Sequence, residues 1–255
     1  IYPTRCFCYI RGVDGEDILI ALRTEKELDL MEAASRLVGL AHRAIKPLVR
    51  AGITTSELDR VAEEVIHSHG AESAFKGYHG YPATICISIN EQVVHGIPGD
   101  RMLEPGDIVS IDIGAKLAGY YGDQAITRTV GKVSEAEEKL LKVTRESLFK
   151  GIEAARPGDR LSDICGAVQD WVEQHQFSVV RQFVGHGIGR KLHEEPAVPN
   201  YTPPDRNPRL KKGMVLAIEP MVNMGKPEVV VATDGWTASA EDGLPSAHFE
   251  HVIGI

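Results

Sequence analysis

The stretch GDIVSIDIGAKLAGYYGDQAITRTV, Gly106 to Val130, decides the fold. Val109, Ile111 and Ile113 alternate with Ser110 and Asp112, the period of two that a strand with one apolar face requires. Asp112 therefore points away from that face. Ala125 to Val130 reads as a second strand, with Asp123 just before it. Working outward, Thr84 to Asn90 alternates Ile85, Ile87 and Ile89 with Cys86, Ser88 and Asn90, and Met214–Glu219 and Phe249–Ile255 are further strand candidates.

Paired helices precede these strands. Thr24-Glu25-Lys26-Glu27 has the form of a capping box, a side-chain acceptor followed three residues on by a carboxylate, and opens a helix with an apolar stripe of Met31, Ala34, Val38, Ala41, Ile45 and Leu48. Pro47 and Gly52 end it. Ser134 to Glu137 repeats the box, with Leu141, Leu148, Ile152 and Ala155 expected on one face and Pro157-Gly158 as the stop. Gly52 and Gly158 are offset by 106 positions, each precedes a second helix, and Ser56 and Leu58 match Ser162 and Ile164 at the same offset. GYHG around His79 matches VGHG around His186 at an offset of 107. Two copies of a helix-helix-strand unit follow. The expected class is α+β, with helices gathered on one side of a mainly antiparallel sheet, and the short linkers imply one compact domain.

With 255 residues, 43% of them hydrophobic, the chain can bury a sizeable core. A formal charge of −8 argues against non-specific binding to nucleic acid or to anionic membranes, which need a basic surface, and neither a membrane nor a specific nucleic-acid partner is expected. Four cysteines, Cys6, Cys8, Cys86 and Cys165, are too few and scattered for a disulfide framework, so a reducing, cytoplasmic setting is expected. No apolar run suggests a membrane span, and no leader precedes a cleavage site. The first residue is not Met and the chain stops soon after Glu250, so both ends read as incomplete.

Asp112, Asp123, Glu219 and Glu250 each lie in or beside an apolar strand-like run. A lone buried carboxylate would protonate or pair. If the four converge, like charges about 4 Å apart repel by roughly 4 kcal/mol at an effective dielectric near 20, and two divalent cations would turn that repulsion into attraction. Oxygen-rich ligation with one imidazole, for which His186 is the candidate, suits manganese, iron or cobalt as well as zinc.

These residues, with GYHGYPATICISINEQVVHGIP (Gly77 to Pro98), GHGIGRKLHEEP (Gly185 to Pro196), IEPMV (Ile218 to Val222) and DGWTASAEDGLPSAHFEH (Asp234 to His251), resemble the type I methionine aminopeptidases of the pita-bread, creatinase/aminopeptidase-like fold. The resemblance covers residues 24–255 as one metallopeptidase catalytic domain and leaves 1–23 as an extension of unclear role. It implies two pseudo-symmetric halves, a curved, mainly antiparallel sheet with helices on its outer face, and two divalent ions per chain held by Asp112, Asp123, His186, Glu219 and Glu250. It implies hydrolytic removal of the initiator methionine from nascent polypeptides with a free N-terminus, with His95, His193 and Glu219 as catalytic groups. His95 and His193 contact the substrate, and Tyr78, His79, Tyr81, Cys86 and Trp236 surround its methionine side chain. The substrate's origin points to the ribosome as a contact, to which the charge lends no support, and relatives of this size point to a monomer. Phe75 and Leu192 stand where some well-known members have Cys and Phe, and Gly114 where Thr is common. The alternatives are a proline-specific peptidase of the same fold, which usually carries a separate N-terminal domain, and a non-catalytic pita-bread binding protein, in which the ligands are lost.

Overall fold

The protein, represented by a computed structural model, is described over residues 6–11, 17–203 and 207–255. Strands β1 (Cys6–Arg11) and β2 (Asp17–Leu22) pair as an antiparallel hairpin. The side chains of Cys6 and Cys8 lie outside the described residues. Helix α1 (Glu25–Ile45) begins at the expected Thr24 capping box, and α2 (Thr55–Ser68) at a second box formed by Thr54 and Glu57. There follow β3 (Glu72–Ser73), β4 (Cys86–Ile89), β5 (Gln92–Val94) and the long pair β6 (Ile108–Leu117) and β7 (Tyr120–Thr129). Helices α3 (Glu135–Ala154) and α4 (Leu161–Gln174) repeat the two-helix arrangement, and Ser134 and Glu137 form the expected box.

The second half continues with β8 (Ser178–Val179), β9 (Gly185–Gly187), β10 (Glu194–Val198), β11 (Val215–Ile218), β12 (Met221–Asn223), β13 (Val229–Val231), β14 (Ala238–Ala240), β15 (Ser246–His248) and β16 (His251–Gly254). One sheet has the order β10-β9-β11-β16 and another β3-β6-β4, with β7 on β6. Two smaller sheets run β15-β12-β8 and β13-β14-β5. The named strand pairings among the described residues are antiparallel, as the α+β reading requires.

Each helix pair covers its own strands. Val38, Ile45, Leu58 and Ile66 of α1 and α2 are buried with Ile87 and Ile111, and full burial of each such side chain is worth about 1.5–3 kcal/mol. In the second half Leu148, Ile164 and Val168 pack with Leu216 and Ile218. The buried face of α3 differs from the expected one: it consists of Leu140, Val143, Thr144, Ser147, Leu148 and Gly151, while Leu141, Ile152 and Ala155 are only partly buried. Close approach of α4 explains the rotation. A Cβ at Gly151 would come within 2.9 Å of Val168 Cγ2, so the contact favours small residues over the bulky ones that periodicity selects. The matching of GYHG with VGHG also fails locally, because His79 occupies a 3-10 turn at φ 47° whereas His186 lies within β9.

Candidate active site

Strand register gathers the acidic residues. Asp112 of β6 faces Cys86 on one side and Ala125 on the other, and Asp123 of β7 faces Gly114. Asp112 and Gly114 are two positions apart on one strand, so both carboxylates emerge on the same face of the hairpin. A Cβ at Gly122 would meet Ser35 N at 2.5 Å, which shows how closely β7 is pressed onto α1 beside Asp123. Glu219 follows β11, and its carbonyl accepts from Asn200 Nδ2 at 3.0 Å. Glu250 lies between β15 and β16 and donates its backbone N–H to Ala125 O at 2.9 Å, tying it to β7.

His186 is buried on β9 between β10 and β11. Its Nδ1 is 2.9 Å from Gly187 O, and a carbonyl only accepts, so Nδ1 carries the proton and Nε2 presents a lone pair. That Nε2 is 3.5 Å from Glu219 Oε1. One ligand atom each from Asp123, His186 and Glu250 lies within 4.8 Å of the others. Asp112 Oδ1, Asp123 Oδ1 and Glu250 Oε1 are buried without a hydrogen-bond donor.

Burial raises all four carboxyl groups above their ordinary range; Asp123 and Glu250 are raised further by the neighbouring carboxylates. Burial, reinforced by His193, lowers His186 to about 4, so the imidazole is neutral at neutral pH. Clustered carboxyl oxygens lacking donors, beside a neutral imidazole with a free lone pair, fit divalent cations, whose positive charge would hold the carboxyl groups ionised.

These groups line a cavity of about 170 Å³ together with Tyr78, Tyr81, Cys86, Leu192 and Trp236, and with Phe75, His95 and His193. The Tyr81 hydroxyl donates between Ile85 O and Gly96 O, at 3.1 and 2.9 Å, and its ring meets Trp236 edge-on at 5.1 Å between centroids. His95 adopts φ 61°, a strained conformation for a side-chain-bearing residue, and burial followed by the charges of His248 and His193 lowers it to about 4. His193 Nδ1 and the Tyr78 hydroxyl are 2.7 Å apart.

Gly114 and Phe75 form a compensating pair. A Cβ at Gly114 would come within 2.6 Å of the Phe75 ring and 2.7 Å of Ala74 Cβ, so the ring and Ala74 together occupy the space of a larger residue there. His79, expected beside the substrate, is exposed and absent from the cavity lining, with its ring 4.4 Å from that of Tyr78. His248 was not singled out from sequence. It is buried with Nε2 unpartnered, 3.6 Å from Glu219 Oε2, in a connected cavity that also contacts His95 and His193. Its spacing of two from Glu250 in AHFEH was the available signal.

The family model described as metallopeptidase family M24 matches residues 29–255. Methionine aminopeptidase 1 of Bacillus subtilis (strain 168) is 54% identical over 237 residues, covering 93% of this chain and 96% of the relative. The crystal structure of methionine aminopeptidase from Rickettsia prowazekii superposes with a TM-score of 0.90 at 42% identity, over 92% of this chain and 96% of that one. Prolidase from Pyrococcus furiosus shares the fold, with a TM-score of 0.73 at 24% identity, but only 62% of its chain is covered.

Proposed function

The chain belongs to metallopeptidase family M24, and from that premise we propose that it is a methionine aminopeptidase, removing the N-terminal methionine from polypeptides whose terminal amine is free. The observation that carries this reading is that Asp112, Asp123, His186, Glu219 and Glu250 line one cavity together with His95, His193 and a set of aromatic, apolar and thiol-bearing side chains. Those five residues would hold two divalent ions, drawn from manganese, iron, cobalt or zinc. When bound, such ions polarise a carbonyl and make water acidic enough to attack it at neutral pH.

The chain's own groups do the rest. Tyr81, Cys86 and Trp236 receive the methionine side chain, a thioether that gains from contact with aromatic rings. His193 donates from Nε2 to the scissile carbonyl oxygen, where charge develops, a role that assigns the Tyr78 hydroxyl, 2.7 Å away, as the donor to Nδ1. His95 contacts the scissile amide nitrogen and fixes its approach. Glu219, which bound cations would keep ionised, takes a proton from the attacking water and delivers it to the leaving amine.

We assign the activity to the cytoplasm, where nascent chains appear, and to a monomer that meets them near the ribosome. None of the described helices is long and apolar enough to cross a membrane. Incubation of metal-loaded protein with Met-Ala-Ser and its N-acetylated twin tests the reading. Free methionine should appear only from the unblocked peptide, and equal release from both would overturn it.

A further inference from the structure

Six residues separate β9 from β10, and this loop carries Leu192 and His193 into the cavity. Its shape depends on Glu194. One carboxylate oxygen, Oε1, accepts the backbone N–H groups of Arg190 and Lys191 at 2.8 and 3.1 Å, folding the loop back on itself. The other, Oε2, meets Nη2 of Arg23, which is distant in sequence and directly follows β2. Both side chains are largely buried, with 8% and 16% exposed.

Arg23 is itself held from both ends. Its backbone N–H donates to Gly213 O at 2.6 Å, and a Cβ at Gly213 would come within 2.8 Å of Arg23 O. Its guanidinium lies against Gly189, where a Cβ would overlap Nη2 at 2.0 Å. Strand β2 is anchored in turn by Ile20, which is buried against Met214, and it packs along β10. Glycines thus clear a channel through which one arginine reaches the root of the loop that carries His193.

We propose that the Arg23–Glu194 pair positions His193, so that the segment before α1, unassigned from sequence, sets the geometry of the proposed oxyanion donor. Arg23 touches no reacting atom and is a positioning residue; the inference rests on the function proposed above. A planar guanidinium fixes direction as well as charge, so lysine is an incomplete substitute. Displacement of a reacting group by about 1 Å can cost on the order of a hundredfold in rate, so a loosened loop should act on kcat more than on KM.

A double-mutant cycle on metal-loaded protein, reading kcat and KM for Met-Ala-Ser, tests this. Arg23→Ala should lower kcat about ten- to a hundredfold with KM little changed, and Arg23→Lys should recover part of the loss. In a His193→Ala background, Arg23→Ala should lower kcat no further, since its effect passes through the absent imidazole. If Arg23→Ala does not fold, Arg23→Lys enters the same cycle. Multiplicative losses in the double variant, or an unchanged kcat in the single Arg23 variants, would overturn the positioning role alone. A His193→Ala protein with undiminished kcat would overturn both the function assigned to His193 and the pair's role.

Discussion

Gly114 and Phe75 show how one residue can be read only through another. In sequence the glycine was a missing hydroxyl and the phenylalanine a changed pocket residue; in the structure the ring fills the volume above the glycine. Gly114→Thr should therefore destabilise the protein by about 1–3 kcal/mol through overpacking, while Gly114→Thr with Phe75→Cys should recover only the share due to the ring, because Ala74 Cβ would still lie 2.7 Å from the added Cβ. Thermal denaturation of both variants checks this, and a double variant no more stable than the single one would contradict the coupling. The proposed ligands were legible singly because carboxylates are costly in apolar strands. The tautomer of His186 was not, since it follows from the Gly187 carbonyl. Nor was the contact between Arg23 and Glu194, which spans 171 positions.

Among the elements, the helices were the most legible, because capping boxes mark their starts, although α1 ends at Ile45, before the expected Leu48 and Gly52, where the chain passes into a 3-10 turn. The long strand β6 was also readable, since ten residues leave room for a period of two, whereas β7 begins at Tyr120, five residues before the expected start at Ala125, and so contains Asp123 instead of following it. Strands such as β8, β9 and β12 have two or three residues, too few for any period to emerge, and exist through their partners. The hairpin of β6 and β7 also has a mechanical role, because Gly122 lets α1 press on it beside Asp123. Gly122→Ala should force β7 and α1 apart, lowering stability by about 1–3 kcal/mol and weakening divalent-metal binding together. Calorimetric titration with Mn²⁺ alongside a melting curve measures both, and unchanged metal affinity in a destabilised variant would separate the helix contact from the site.

For the whole molecule, the acidic centre links stability to pH and metal. Burial raises Asp112 to about 7 and Glu219 to about 8, so the metal-free fold favours their protonated forms. The unfolded chain ionises them near 4, binds fewer protons above that value, and gains relative stability as pH rises toward the folded values. His42, His95 and His186 act oppositely: each is lowered from 6.5 to about 4, so acidification through that interval favours unfolding. Between pH 6.5 and 8 the four raised carboxyl groups prevail, and chelator-stripped protein should lose stability over that interval, read as a falling Tm. Saturating Mn²⁺ should remove the loss, because bound cations favour the ionised forms. A stripped protein whose stability is flat from pH 6.5 to 8 would contradict the linkage.

The most direct test of a metal-dependent methionine aminopeptidase centred on these residues is the rate of methionine release from Met-Ala-Ser as Mn²⁺ is titrated into chelator-stripped protein, with Asp123→Ala measured alongside. The rate should rise from background and saturate with metal in the parent protein, and remain at background in the variant. Undiminished release by the stripped parent protein, or a full rate in Asp123→Ala, would contradict it.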